Sequence, residues 1–307
     1  MGRFVTDPEC IAQRAYVNIP EWHAAGYKGA GQTVFCDDVQ KNSHYLLVKD
    51  IVETILPEVR VLTGNIGYRI RSNEILECNV TCFETGETLP FDDFVKKYNV
   101  TIINNSTDGG DGTEVLPHAI YMVSKMQQYN LLFFGAAGNG YGQPTTQKYN
   151  GACAIVSSIK LENGKIVDGL KAVGSNIDFV MFYGFQSGTS FSSPFLAGMA
   201  GLLRSKWPSI TQDEAYQYFQ DHCIDLGDKN KFGWGVPVMG AAKTVIKMWP
   251  GKDIMTVDGR DVKLDEPPEI KPSGRTVVPV RAIAEAFNAE VSWDAKKGDK
   301  GEITIVR

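Results

Sequence analysis

At 307 residues with 43% hydrophobic content, the chain is long enough for one large α/β domain and a small second one around a sizeable core. A formal net charge of −5 at pH 7, without a basic cluster, excludes nucleic acid as the main partner. The longest apolar runs, such as 195–203, fall far short of the roughly 18 residues a membrane span needs, and the opening Met1-Gly2-Arg3-Phe4-Val5-Thr6-Asp7 has no apolar signal core.

In chain order, short β-branched runs alternate with longer helical patterns from Gln32 to about Ala241, the signature of a parallel sheet covered by helices. Strands are predicted at 33–36, 59–62, 101–104, 131–134 and 154–157, and helices at 45–55, 91–98, 116–129, 193–206 and 212–221. The order predicts a doubly wound α/β fold, in which chemistry gathers at the carboxyl ends of the strands. A domain boundary is expected near 248–252, dividing the chain into 1–248 and 249–307. The second part predicts a small α+β module, with a strand pair over 254–262, a link at Pro267-Pro268, a helix over 280–287, and closing strands at 290–293 and 302–306.

Gly188-Thr189-Ser190-Phe191-Ser192-Ser193-Pro194, running into an apolar stretch, places a serine hydroxyl where a glycine-bearing loop turns into a buried helix. A nucleophile there has the helix's free N–H groups behind it. It needs a base, and the candidates are His23, His44, His118 and His222. Asp37 follows the strand 33–36 and His44 begins the next helical segment, so an acid at a strand end and a base at a helix start become neighbours across one short loop. His23 and His222 are expected to be packing residues. His118, on the helix after the strand 101–104, is the alternative base, and Asp38 is the alternative acid, favoured by a count from Gly29 and Gly31, whereas Asp37 keeps its spacing to His44 and is the expected acid.

These residues resemble the subtilisin-like serine proteases (subtilases), whose triad runs in the order Asp, His, Ser. Residues 188–194 match the family's Gly-Thr-Ser-x-x-Ser-Pro signature, and Gly135-Ala136-Ala137-Gly138-Asn139-Gly140 matches its oxyanion segment. Ile102-Ile103-Asn104-Asn105-Ser106 resembles the strand before its substrate-pairing segment, and Val17-Asn18-Ile19-Pro20-Glu21-Trp22 with Gly29-Ala30-Gly31-Gln32-Thr33-Val34 resembles its usual lead-in. The resemblance covers about 17–245. It implies a subtilisin-like doubly wound parallel sheet and a serine endopeptidase acting through Asp37, His44 and Ser190, with Asn139 in the oxyanion hole. Ser106, Thr107 and Asp108 would pair with the substrate backbone, and Asp108 stands where the family usually has glycine, so it either favours a basic residue or narrows its pocket.

Two departures bear on this. Asp37-Asp38-Val39 replaces the family's Asp-Thr-Gly, and its usual histidine motif is missing. Either His44 corresponds to a non-catalytic histidine and the domain is an inactive peptide-binding or scaffold protein, or the loop has been trimmed and His44 is the base. The apolar positions Val48, Ile51 and Val52, followed by Leu56-Pro57-Glu58-Val59, favour the second reading.

Residues 262–294 resemble the copper amine oxidase N-terminal-like (stalk) domain, over about 252–307. This stretch holds no His or Cys, so no copper is expected, and its expected role is spacing or binding a protein or cell-surface partner. Such modules accompany exported proteins, whereas the opening residues suggest a cytoplasmic chain; with no obvious folding propeptide before residue 17, either the fold forms unaided or the sequence is incomplete at its start. The six cysteines are scattered and expected to be reduced. Cys78 and Cys82 lack further ligands at finger spacing, so neither zinc nor any other cofactor is expected.

Overall fold

The five predicted strands form the parallel centre of one nine-stranded sheet in a computed structural model of the chain. The structure describes residues 3–38, 43–72, 74–107, 115–140, 143–144, 152–169, 172–184, 186–287, 289–297 and 302–306. It divides into two units, Met1–Gly240 and Ala241–Arg307.

The first unit opens with helices α1 (Arg3–Thr6), α2 (Pro8–Tyr16) and α3 (Ile19–Ala24). Strand β1 (Thr33–Asp37), helix α4 (Ser43–Ile55), strands β2 (Arg60–Arg71), β3 (Glu74–Cys82) and β4 (Thr88–Pro90), and helix α5 (Phe91–Tyr98) follow. Then come β5 (Val100–Asn105), α6 (Val115–Tyr129), β6 (Leu132–Ala136), β7 (Gln143–Pro144), β8 (Ala154–Glu162), β9 (Lys165–Val167), β10 (Ala172–Val173) and β11 (Phe179–Phe182). Helices α7 (Thr189–Lys206) and α8 (Gln212–Asp221) complete its main elements.

The sheet order is β11-β8-β6-β5-β1-β2-β3-β4, with β9 beside β8. Strands β11 to β2 are parallel, and β3, β4 and β9 are antiparallel to their neighbours. The chain leaves β1 through α4 towards β2, and leaves β5 through α6 towards β6 on the opposite side. Adjacent strands whose crossovers diverge leave a crevice at their carboxyl ends, and here that crevice lies between β1 and β5.

Side chains alternate across β1 and so assign the helices to faces. Thr33 Oγ1 donates to the carbonyl of Tyr98, 2.8 Å away, and the Phe35 ring meets Phe94 edge-on at 5.1 Å, so odd-numbered residues face α5. Helix α6 shares that face, through Phe91 against Tyr121 and Lys125 against Asp92. Even-numbered residues face the other way, where Cys36 lies within electrostatic reach of Lys49 and Glu53 of α4. Helix α7 packs beside α4. Two glycines permit their close approach, because a Cβ at Gly201 would stand 2.3 Å from Leu56 Cδ1, and one at Gly198 would stand 3.0 Å from Ile55 Cβ.

Three features differ from the sequence-based expectation. Strand β2 runs on to Arg71 and turns back as β3, because Ile66, Tyr68 and Ile70 continue the inward period of two and Cys78, Val80 and Cys82 answer it. Helix α7 starts at Thr189 instead of at 193, so Ser190 lies within its first turn. The residues before β1 are part of the fold: Phe4 and Trp22 are fully buried, and the Gln13 amide exchanges hydrogen bonds with the backbone of Gly184 at 2.9 and 3.3 Å.

The second unit has an antiparallel sheet of Ile246–Met248, Ile254–Val257 and Arg260–Lys263. A hairpin of Glu269–Ile270 and Thr276–Val277, a helix at Val280–Ala286, and a hairpin of Glu290–Asp294 and Glu302–Val306 follow. Its division from the first unit falls earlier than the expected 248, because Ile246–Met248 pairs with Met255–Val257 and belongs with this sheet.

Candidate active site

At the end of β1, two consecutive carboxylates point to opposite faces of the sheet. Asp38, on the α4 face, accepts a hydrogen bond from His44 Nδ1 at 2.5 Å. Its own backbone is fixed on both sides: the N–H donates to the Gly64 carbonyl at 2.7 Å, and the carbonyl accepts from Asn65 Nδ2 at 3.4 Å. The Asp38 side chain is 5% exposed and that of His44 is 30% exposed, so a buried acid orients a half-buried imidazole. A proton held at Nδ1 by this bond puts the imidazole in the tautomer whose lone pair is on Nε2.

Asp37, expected to orient His44, does other work. Its side chain follows Phe35 to the opposite face, where Oδ1 accepts from Ile66 N at 2.8 Å and Oδ2 from Asn105 Nδ2 at 2.5 Å. The carboxylate on His44 Nδ1 is Asp38 where Asp37 was expected, and the strand's period of two is the physical reason for the difference.

Ser190 is 8% exposed in the first turn of α7, whose N-cap is Gly188 at φ +156°, a backbone conformation L side chains rarely adopt. Pro194 has no N–H, so the Ser190 carbonyl loses its usual intrahelical donor. Ser106 Oγ replaces that donor at 2.9 Å. Ser106 Oγ in turn accepts from Asn104 Nδ2 at 2.8 Å, and Asn104 Oδ1 accepts from Ser193 Oγ at 2.7 Å. This buried relay fastens the nucleophile's turn to the end of β5. The His44 ring packs against Phe191, with centroids 5.2 Å apart, which brings the imidazole beside the start of α7.

Asn139 Oδ1 accepts the Thr189 N–H at 3.0 Å, and Thr189 Oγ1 accepts the Gly138 N–H at 3.1 Å. Because a backbone N–H can only donate, this contact assigns the amide oxygen to the helix start and leaves the exposed residue's NH₂ group for a ligand. An anion near Ser190 would meet that amide together with the Ser190 N–H, because the neighbouring Thr189 and Phe191 N–H groups donate to Asn139 Oδ1 and the Gly188 carbonyl.

The other candidates are placed as follows. Ser106 and Thr107 lie at the exit of β5, and Asp108 lies outside the described residues. His118 is buried on α6 with its ring edge-on to Tyr68 at 4.5 Å, on the face opposite α4. His23 Nε2 bonds the Ile55 carbonyl at 2.7 Å, and burial lowers its pKa below the ordinary 6.5. His222 stacks on Tyr218 at 4.1 Å. The described cysteines are all free thiols, and burial raises that of Cys78 to about 12. Among the described residues no three His, Cys, Asp or Glu side chains converge as a metal site requires. The relay through Asn104, Ser193 and Pro194 was missed from the sequence, although each of its members stands in a motif already quoted.

Known proteins resemble this chain in sequence and in fold. Residues 173–235 match the subtilase family, and residues 236–300 match the copper amine oxidase N-terminal domain. A thermostable alkaline protease of Halalkalibacterium halodurans is 29% identical over 159 residues, 47% of this chain and 42% of that protein. Subtilisin DY of Bacillus licheniformis is 26% identical over 157 residues, 46% of this chain and 56% of that protein. The chain thus spans about half the length of these curated relatives. Among solved structures, the MycP3 protease from the type VII (ESX-3) secretion system superposes with a TM-score of 0.54 at 14% identity, covering 75% of this chain and 87% of that one. The prenylagaramide maturation protease PagA gives 0.52 at 16% identity, covering 73% and 97%. At such identities the structural likeness is one of fold.

Proposed function

We propose that this chain, which matches the subtilase family over 173–235 and the copper amine oxidase N-terminal domain over 236–300, is a subtilase whose first unit is a serine endopeptidase using Asp38, His44 and Ser190. In this reading, Ser190 Oγ attacks a peptide carbonyl while His44 Nε2 takes the hydroxyl proton. Asp38 holds the imidazole tautomer and stabilises the imidazolium. Asn139 Nδ2 and the Ser190 N–H donate to the oxyanion of the tetrahedral intermediate. His44 then returns the proton to the leaving amine, an acyl ester remains on Ser190, and a water activated by the same imidazole releases the acid. The backbone at 106–107 pairs with the extended substrate as an added strand.

The observation that carries this reading is the 2.5 Å bond between Asp38 and His44, with the His44 ring seated on Phe191, the residue after the nucleophile. Its test is covalent labelling by a fluorophosphonate probe, read by intact mass. One adduct per chain is expected, lost in Ser190→Ala, strongly slowed in His44→Ala, and retained in His118→Ala. A chain that takes no label supports a peptide-binding protein without catalysis. Labelling that survives His44→Ala and vanishes in His118→Ala would move the base to the other helix.

A further inference from the structure

Asp37 is a fully buried carboxylate that the proposed chemistry leaves unused. Two segments converge on it, the exit of β5 at 105–107 and β2 at Ile66. Its carbonyl accepts the Ser106 N–H at 3.2 Å, where the chain has just left β5. Its Oδ2 accepts from Asn105 Nδ2, and Asn105 exchanges hydrogen bonds with Thr107 Oγ1, at 3.1 Å through Nδ2 and 3.2 Å through Oδ1. Its Oδ1 takes the N–H of Ile66, where β2 passes beyond its last pairing with β1 at Gly64. Asp37 and Asn105 are fully buried and Thr107 nearly so.

An ionised carboxylate is costly to bury and persists only when hydrogen bonds compensate it. A hydrophobic residue such as Phe35, two positions earlier on the same face, would fill such a site without that cost. The carboxylate differs from a hydrophobic residue in being directional. It fixes the segment 105–107 from the inside, where a strand that pairs with substrate has no protein neighbour on its open edge.

We propose that Asp37 is a positioning residue for the peptide groove: through Asn105 and Ser106 it holds the strand at 106–107 in register for an extended substrate. The proposal rests on the endopeptidase reading and assigns the paired carboxylates separate tasks. Asp38 serves the imidazole and Asp37 serves the substrate strand. Replacing the Asp37 carboxylate by an amide leaves one acceptor oxygen for two donors, Ile66 N–H and Asn105 Nδ2, so the charge-assisted bond to Asn105 is lost or exchanged for a weaker neutral one while the side-chain volume is kept.

The test compares the full chain with Asp37→Asn, Asp38→Asn and the exchange Asp37→Asn/Asn105→Asp, in which an amide at 37 can donate to a carboxylate at 105. Each is assayed on a tetrapeptide p-nitroanilide and on a single-residue ester too short to reach 106–107. Asp37→Asn is expected to raise KM for the tetrapeptide about tenfold, the loss of one charge-assisted bond, with kcat falling less than about threefold. The exchange should restore most of that KM. Amide hydrogen exchange at 66 and 105–107 should quicken in Asp37→Asn and return in the exchange variant. If Asp37→Asn does not fold, Asn105→Ala removes the same tie and is read in the same way. Equal loss on both substrates, carried by kcat, would make Asp37 part of the triad and overturn the proposal, as would unchanged KM and exchange. A wild-type chain that hydrolyses neither substrate would refute the endopeptidase reading instead. Hydrogen exchange then decides the role of Asp37 alone, supporting it if quickened and rescued, and overturning it if unchanged.

Discussion

A serine in the first turn of a helix is a weak nucleophile until a base reaches it, so the residue-scale account depends on the environment of His44. The Asp38 bond holds Nδ1 and fixes the tautomer of the ring. Asp38→Asn should lower kcat by about 10⁴, as expected when an orienting carboxylate becomes an amide that favours the wrong tautomer. Steady-state hydrolysis of a peptide substrate measures it, and a loss below tenfold would remove Asp38 from the mechanism. Asn139→Ala should cost about 10²–10³ in kcat with little change in KM, the size of one oxyanion donor. The placing of Ser190 at a helix start was legible, because its motif demands particular residue types at fixed positions. Which carboxylate meets His44 was not, because Asp37 and Asp38 are chemically alike and only the alternation of Thr33, Phe35 and Asp37 towards α5 separates them.

Among elements, the site depends on how closely β1, β2, α4 and α7 approach. Gly64, level with Asp37 in the register, is the sharpest case: a Cβ there would stand 2.1 Å from the Thr81 carbonyl oxygen and 3.1 Å from Phe35 Cε2. Gly64→Ala should destabilise the first unit by about 1–3 kcal/mol, since a backbone atom of the next strand has to move. Urea denaturation checks this, and an unchanged midpoint would contradict the packing described. Helices at 91–98 and 212–221 were predicted with the observed bounds, because their apolar spacing and flanking residues agree. Helix α7 starts four residues before the predicted 193, so that Pro194, a residue type that favours the first helical turn, lies inside it. Its missing N–H is compensated by Ser106, a residue distant in sequence, and no local pattern announces such a partner.

Across the whole molecule, the two-unit division follows the change from parallel crossovers to short antiparallel hairpins. The second unit buries Met255, Leu264, Ala284 and Ala289, and its hairpin pairs Val291 with Ile305 and Trp293 with Ile303. No helix among the described residues is long and apolar enough to cross a membrane. The first unit should show an acid-sensitive stability traceable to His23, which joins α3 to the end of α4. Burial favours its neutral form in the fold, so its contribution is full above the ordinary 6.5 and is lost as pH falls through 6.5 towards the depressed folded value. Urea midpoints between pH 7.5 and 5 should therefore fall less steeply in His23→Gln than in the wild type. Parallel slopes would exclude that histidine.

The central claim is that Asp38, and not its neighbour, activates Ser190 through His44. The rate of fluorophosphonate labelling of Ser190 in Asp38→Asn and Asp37→Asn tests it most directly, because a small probe reports the nucleophile without the substrate strand. The account predicts a fall of about 10³-fold or more in Asp38→Asn, with Asp37→Asn labelled at a rate close to that of the wild type. The reverse order would contradict it.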